Sequence, residues 1–130
     1  MTRVYVDVEA AAIEGSGTDP SLDPAALRSL RFLAEAGNQV ILVASNGHAV
    51  PPDLRAAVSD VVTEVPARPT DATWYLTSEV ERCTGTSARL RTVLIGAAPP
   101  AGSIHRCDGV ARDLQAAALE LLAREAMPPR

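Results

Sequence analysis

An amphipathic helix between two apolar strands constrains the fold of this chain more than any other feature of its sequence. Residues 4–8 form a β-branched and aromatic run, and residues 40–44 form a continuous apolar run. Between them, Asp23 is a suitable N-cap, Pro24 occupies the first helical position, and Gly37 ends the apolar stripe of the helix. An uninterrupted apolar strand is typical of a parallel sheet covered on both faces, so the chain is predicted to be α/β.

The alternation of strands and helices continues to the end of the chain. A short helix and a third strand follow the second strand, and two more strands and a final helix come after them. These five elements are predicted over residues 53–58, 61–65, 73–77, 92–95 and about 109–126. The pattern predicts a three-layer Rossmann-like fold, with a mostly parallel sheet of about five strands and helices on both faces.

Length, composition and charge favour one such domain over residues 1–130 and limit its partners. A chain of 130 residues can bury one core, and with 47% apolar but only 3% aromatic residues that core is built from Val, Leu, Ile and Ala. The net charge is −4, and basic residues do not cluster. Nucleic acid and anionic membranes are therefore not expected as partners, and a small molecule or a protein is favoured.

The two cysteines and the N-terminal sequence predict a cytoplasmic protein. Cys83 and Cys107 form no C-x-x-C motif and are too few for a disulfide framework, so they are interpreted as buried hydrophobic residues in a reducing compartment. Asp7 interrupts the first apolar run before it reaches the length of a signal peptide. No later apolar run is long enough to span a bilayer.

Polar residues follow the predicted strands at the edge where an open parallel sheet binds its ligands. The first strand ends in Asp7 and Glu9, the second ends in Ser45 and Asn46, and Arg68 follows the third. The fourth strand ends in Thr77, Ser78 and Glu79. The carboxyl ends of parallel strands meet at one edge, so these side chains are expected to lie close together. Carboxylates, a hydroxyl, an amide and a guanidinium in one place suggest a phosphoryl site.

The order of these residues resembles the motifs of the haloacid dehalogenase (HAD) superfamily. In that family the first strand ends in Asp-x-Asp and the second in Ser or Thr, often followed by Asn; Asp7-Val8-Glu9 and Ser45-Asn46 match in order and position. The family then has a Lys, often as Lys-Pro, before a strand that ends in Gly-Asp. Arg68-Pro69 followed by residues 74–78 is similar to that unit, and residues 89–96 are similar to the next strand.

The resemblance implies a magnesium-dependent phosphohydrolase. Asp7 would be the nucleophile that forms an aspartyl-phosphate, and Glu9 would protonate the leaving group and then activate water. Ser45 and Asn46 would bind phosphoryl oxygens, and Arg68 would balance the charge of the intermediate. Mg²⁺ would be held by Asp7 and the backbone carbonyl of Glu9. The connections between strands are too short for a cap domain, so the open site favours a phosphorylated small molecule, a phosphoprotein or a covering protein partner.

Three residues depart from the family pattern. Glu9 replaces the usual Asp and is one carbon longer, and misplacement by about 1 Å can reduce a rate by ~100-fold. Ser78 stands where the family has an Asp that helps to hold magnesium, and Arg82 stands where a second acid often follows. Glu79 or Glu81 is a candidate replacement for the missing ligand.

These departures leave two hypotheses open. The chain is either a weak or specialised phosphohydrolase that uses Asp7, or a catalytically inactive domain retained for binding, scaffolding or oligomerisation. Ser45 has a simpler interpretation as the cap of a turn, and Arg68 has one as an ordinary loop charge. A phosphoacceptor receiver domain fits poorly, because its acceptor Asp ends the third strand. Here that strand ends in residues 63–66, which contain no Asp.

Overall fold

A six-stranded, entirely parallel sheet organises the protein. The computed structural model describes residues 2–13, 21–22, 24–44, 50, 52–66, 68–83, 89–96 and 107–126. The strands of the sheet are β1 (Arg3–Asp7), β4 (Gln39–Val43), β5 (Asp60–Val62), β6 (Thr73–Thr77), β7 (Leu90–Ile95) and β8 (Gly109–Ala111). Two short strands, β2 (Ala12–Ile13) and β3 (Ser21–Leu22), form a separate antiparallel pair.

The helices are α1 (Val8–Ala11), α2 (Pro24–Glu35), α3 (Pro52–Ala56) and α4 (Leu114–Ala126), with a short 3-10 helix (Val80–Arg82) after β6. The strand order is β5-β4-β1-β6-β7-β8. β1 therefore lies in the interior of the sheet, between β4 and β6. Val4 of β1 is in register with Val40 of β4 on one side and with Trp74 of β6 on the other.

The predicted α/β class is confirmed, but the sheet has six strands where about five were predicted. The additional strand is β8, which was predicted as the start of the final helix. Val110 is paired with Leu94 of β7 and is 41% exposed, so it does not share the buried face of α4. The helix begins only at Leu114, and the Asp113 carboxylate accepts a hydrogen bond from the Ala116 N–H at 2.8 Å, as an N-cap does.

The two faces of the sheet carry separate hydrophobic clusters, because alternate side chains of a strand point to opposite faces. The first cluster combines Val4, Val6 and their neighbours in the sheet with side chains of α2, α3 and α4. The second contains Tyr5, Ile41, Val43, Tyr75 and Leu90, with Val62 and Val65 packed against them. Since these three helices all contribute to the first cluster, helical cover of the second face stays a prediction.

The two cysteines are joined in a disulfide, so the prediction of two unpaired hydrophobic residues is wrong. Cys83 follows the 3-10 helix, Cys107 precedes β8, and their Cα atoms lie 4.9 Å apart. The prediction of a cytoplasmic location loses the support that it drew from unpaired thiols. Within the described ranges, no helix combines the length and the apolar character needed to cross a bilayer.

Candidate functional site

Asp7 is a fully buried acid at the carboxyl end of an interior strand. It is the last residue of β1, in register with Val43 of β4, and its exposed fraction is 0%. The preceding residues of β1 are held by strands on both sides, so the backbone at Asp7 is well fixed. A buried carboxylate is strongly unfavourable unless it is paired and hydrogen-bonded, so its partners determine what it does.

Three donors surround the Asp7 carboxylate. The Tyr75 hydroxyl donates to Oδ1 at 2.7 Å, and the Thr77 hydroxyl donates to Oδ2 at 2.6 Å. Both come from β6, the strand next to β1, and their spacing of two places them on the same face. Arg82 Nη1 donates to Oδ2 at 2.7 Å and forms an ion pair with it. Both carboxylate oxygens are therefore engaged by protein groups.

Arg82 is held between two acids. While Nη1 contacts Asp7, its Nε lies 2.8 Å from Oε2 of Glu79, three residues earlier. The Arg82 side chain is 21% exposed and the Glu79 side chain is 48% exposed, so the guanidinium extends from solvent into the buried site. The Glu79 N–H also donates to Thr77 Oγ at 3.2 Å, which connects the start of this turn to the same network.

The environment keeps the donors of this network in their donating forms. Burial raises the pKa of Tyr75, and its hydrogen bond to Asp7 and the charge of Asp7 raise it further. For Arg82, burial opposes the charged form, but the neighbouring Tyr75 oxygen and the Asp7 carboxylate favour it, so its pKa lies above the ordinary value. The phenol therefore stays protonated and the guanidinium stays charged at neutral pH.

The structure describes only some of the residues that the sequence placed in the site. Glu9 lies in α1, but its side chain is outside the description, and Ser45 and Asn46 are outside the described residues altogether. Arg68 is exposed in the segment between β5 and β6, and Ser78 is exposed directly after β6. Among the described residues, neither Arg68 nor Ser78 donates a hydrogen bond to Asp7. The roles that the sequence assigned to Glu9, Ser45, Asn46, Arg68 and Ser78 stay predictions.

Tyr75 and Arg82 were not predicted for the site, whereas Thr77 was predicted at its edge. Tyr75 was assigned no role, and Arg82 was interpreted only as the loss of an acid. A signal was present, because Tyr75 and Thr77 alternate on a strand predicted over 73–77, and Arg82 is a basic residue soon after that strand ends. The position of this strand beside β1 could not be predicted from local sequence patterns.

The described residues around Asp7 do not suit a magnesium ion. Mg²⁺ prefers an octahedral set of oxygen ligands, but the Arg82 guanidinium already donates to Asp7 Oδ2 and would repel a second cation there. Glu79, a predicted replacement ligand, is paired with Arg82 instead. In the described part of the chain, no group of three His, Cys, Asp or Glu residues gathers into a metal site.

A groove lies on the first face of the sheet, between α2 and α4. This groove has a volume of about 320 Å³, and Phe32 and Leu119 on its walls are 49% and 54% exposed. Its other lining residues are Ala25, Arg28, Ser29, Gln115 and Ala118. Asp7 and the other described residues predicted for the phosphoryl site do not line this groove.

Comparison with models of known protein families and with curated proteins found no match to this chain. The function is therefore inferred from the contacts of Asp7.

Proposed function

We propose that this chain is a HAD-like domain that is catalytically inactive and is retained for binding, scaffolding or oligomerisation. In this proposal Asp7 is a structural residue. The observation that carries it is the state of the Asp7 side chain, which is 0% exposed and accepts hydrogen bonds from Tyr75, Thr77 and Arg82.

A carboxylate in this environment is poorly suited to nucleophilic attack. An attacking oxygen must come within about 3–3.5 Å of the electrophile along an open path, and Asp7 offers no accessible surface for that approach. Three hydrogen bonds and a full positive charge also stabilise the electron density of the carboxylate, which lowers its tendency to form a new bond. Attack would require Arg82 to move and all three contacts to be lost.

Arg82 gives the protein a built-in cation beside this acid. By the HAD resemblance, Arg82 stands where an acid often helps to bind the metal, so the sign of the charge is reversed there. Arginine cannot lose its proton at physiological pH, so changes of pH in that range do not remove the positive charge beside Asp7. The reversed charge at position 82 and the ion pair at 2.7 Å both support the proposal that Asp7 is not a nucleophile.

A structural role also accounts for an acid inside an otherwise apolar strand. Removing one partner from a buried ion pair typically destabilises a protein by about 3–5 kcal/mol, because the other charge is left uncompensated. Loss of Asp7 would leave the partly buried Arg82 with the more exposed Glu79 as counter-charge, so it is costly even without catalysis. The pair also joins the turn after β6 to the end of β1.

Hydrolysis of an aryl phosphate, measured with and without excess Mg²⁺, tests the proposal. The protein is compared with Asp7→Asn and with Asp53→Asn, which removes an exposed acid on α3. We expect the same low background in all three samples. The assay is run below the unfolding temperature of Asp7→Asn, with circular dichroism to verify that each sample is folded.

Magnesium-dependent turnover that is kept in Asp53→Asn and lost in Asp7→Asn would contradict the proposal. It would establish the alternative, a slow phosphohydrolase that acts through an aspartyl-phosphate on Asp7.

A further inference from the structure

The disulfide Cys83–Cys107 is adjacent to the residue that covers Asp7. Cys83 directly follows Arg82, and its N–H donates to the Val80 carbonyl at 3.1 Å. We infer that this disulfide is a redox-sensitive tether: when a dithiol reductant opens it, the 3-10 helix opens more often, and Arg82 leaves Asp7 in that open form. The inference rests on the proposed function, because it concerns the control of the Asp7–Arg82 pair.

Apart from the disulfide, the 3-10 helix is attached through polar contacts, chiefly those of Arg82. None of its three residues is buried, so it has no apolar anchor in the core. Apart from the disulfide, the contacts described for this segment and its flanks are polar: the pairs of Arg82 with Asp7 and Glu79, and the Glu79 N–H donated to Thr77. Short segments of this kind open at low energy, so a covalent bond at Cys83 strongly affects how long Arg82 stays in place.

The other end of the disulfide is fixed to the sheet. Asp108, the residue after Cys107, donates its N–H to the Thr92 carbonyl at 2.7 Å, and its carboxylate accepts the Thr92 N–H at 2.7 Å. Thr92 is 1% exposed within β7, and β8 begins directly after Asp108. The disulfide thus connects a weakly held segment to a rigid one.

The reduction is chemically complete with a dithiol as the reductant. Cys83 is buried at 6% exposure, whereas Cys107 is partly exposed, so approach is easier from the side of Cys107. A thiolate of the reductant attacks one sulfur and forms a mixed disulfide, and its second thiol then displaces the protein sulfur. The protein disulfide breaks and gains two electrons and two protons, while the dithiol becomes a disulfide. Opening it also removes a constraint between residues 24 apart in sequence.

The test measures how fast phenylglyoxal modifies Arg82 in the oxidised and the reduced protein, with peptide mass spectrometry to locate the label. The protein is reduced with dithiothreitol and desalted under nitrogen before labelling. We expect Arg82 to react about tenfold faster after reduction, since local opening then exposes the guanidinium. Arg28, which is exposed on α2, and Arg124, which is partly buried on α4, should react at unchanged rates.

A Cys83→Ser/Cys107→Ser variant should label Arg82 at the fast rate with or without dithiothreitol. Equal Arg82 rates in the oxidised and reduced wild-type protein would overturn the inference. A parallel rise at Arg124 would also overturn it, because the disulfide would then support the whole fold. Turnover of aryl phosphate by the oxidised protein would contradict the proposed function but not the tether, so the two failures are distinguishable.

Discussion

Two polar clusters lie near opposite ends of β6, and they handle charge in different ways. At the carboxyl end, Tyr75 and Thr77 join Arg82 around the buried Asp7. Near the amino end, the Trp74 Nε1–H donates to the Glu125 carboxylate at 2.7 Å. The guanidinium groups of Arg91 and Arg124 lie 5.5 and 5.8 Å from the centre of the Trp74 ring.

The difference is which group is removed from water. In the first cluster a carboxylate is fully buried, whereas in the second an indole is buried and the charges around it keep contact with solvent. Arg124, for example, is 36% exposed in its pair with Glu120. Both clusters attach a segment to the sheet, the 3-10 helix in one case and the end of α4 in the other. Because screening weakens exposed charge interactions, substitutions should cost much more at Asp7 than at the charged partners of Trp74.

The largest effect is expected for Arg82→Met, which leaves Asp7 buried without its counter-charge. The free energy of unfolding should fall by about 3 kcal/mol, the lower end of the range for a broken buried pair, because Arg82 is partly exposed. Urea denaturation measures the change. Arg28→Met, on the exposed face of α2, is the matched control and should change stability by less than about 0.5 kcal/mol. Similar losses in both variants would show that the ion pair with Asp7 adds no stability beyond that of an exposed arginine.

A smaller effect is expected for Tyr75→Phe, which removes one of the three donors to Asp7 and keeps the ring. A hydrogen bond to a charged group contributes about 1.5–3 kcal/mol, so a loss of about 2 kcal/mol is expected. Thr77→Val should cost a similar amount, because it removes one of the two donors to Oδ2. Urea denaturation of each variant tests the expectation. Unchanged stability in both would mean that Arg82 alone satisfies Asp7.

Alkaline pH should weaken the first cluster through Tyr75. The pKa of Tyr75 is raised above 10 in the folded protein, mainly by burial. Above pH 10 the unfolded chain therefore loses the phenolic proton more readily than the folded chain, and stability falls as the pH rises. The slope is at most about 1.4 kcal/mol per pH unit for one group. Urea denaturation between pH 9 and 11 should show a steeper fall for the wild type than for Tyr75→Phe, and parallel curves would contradict this assignment.

The smallest effects are expected in the second cluster. Glu125→Gln keeps an acceptor for the Trp74 indole but removes the charge, and it should cost about 0.5–1 kcal/mol. Arg91→Gln removes a single cation from an exposed position over the ring, and it should cost about 0.5 kcal/mol. Thermal unfolding followed by tryptophan fluorescence measures both. Losses as large as that expected for Arg82→Met would show that burial of a charge does not determine how much each cluster stabilises the protein.

Local patterns in the sequence predicted much of the fold but little of the site. The bounds of β6 and the start of α2 at Pro24 were predicted correctly, because apolar runs and capping residues act over a few positions. β8 was missed because Val110 has the same spacing from Leu114 as residues on one helical face. The Cys83–Cys107 bond and the contact between Arg82 and Asp7 depend on which strands are neighbours. No local pattern carries that information.

The unfolding free energy of Asp7→Asn tests most directly whether Asp7 is structural. The substitution keeps the shape of the side chain but removes its charge, so Arg82 loses its buried counter-charge and keeps Glu79. With urea denaturation at neutral pH, the structural role predicts a loss of about 2 kcal/mol or more relative to the wild type. Acids retained for catalysis are often held at a cost in stability, so replacing them leaves stability unchanged or raises it. An Asp7→Asn variant as stable as the wild type, or more stable, would contradict the structural role.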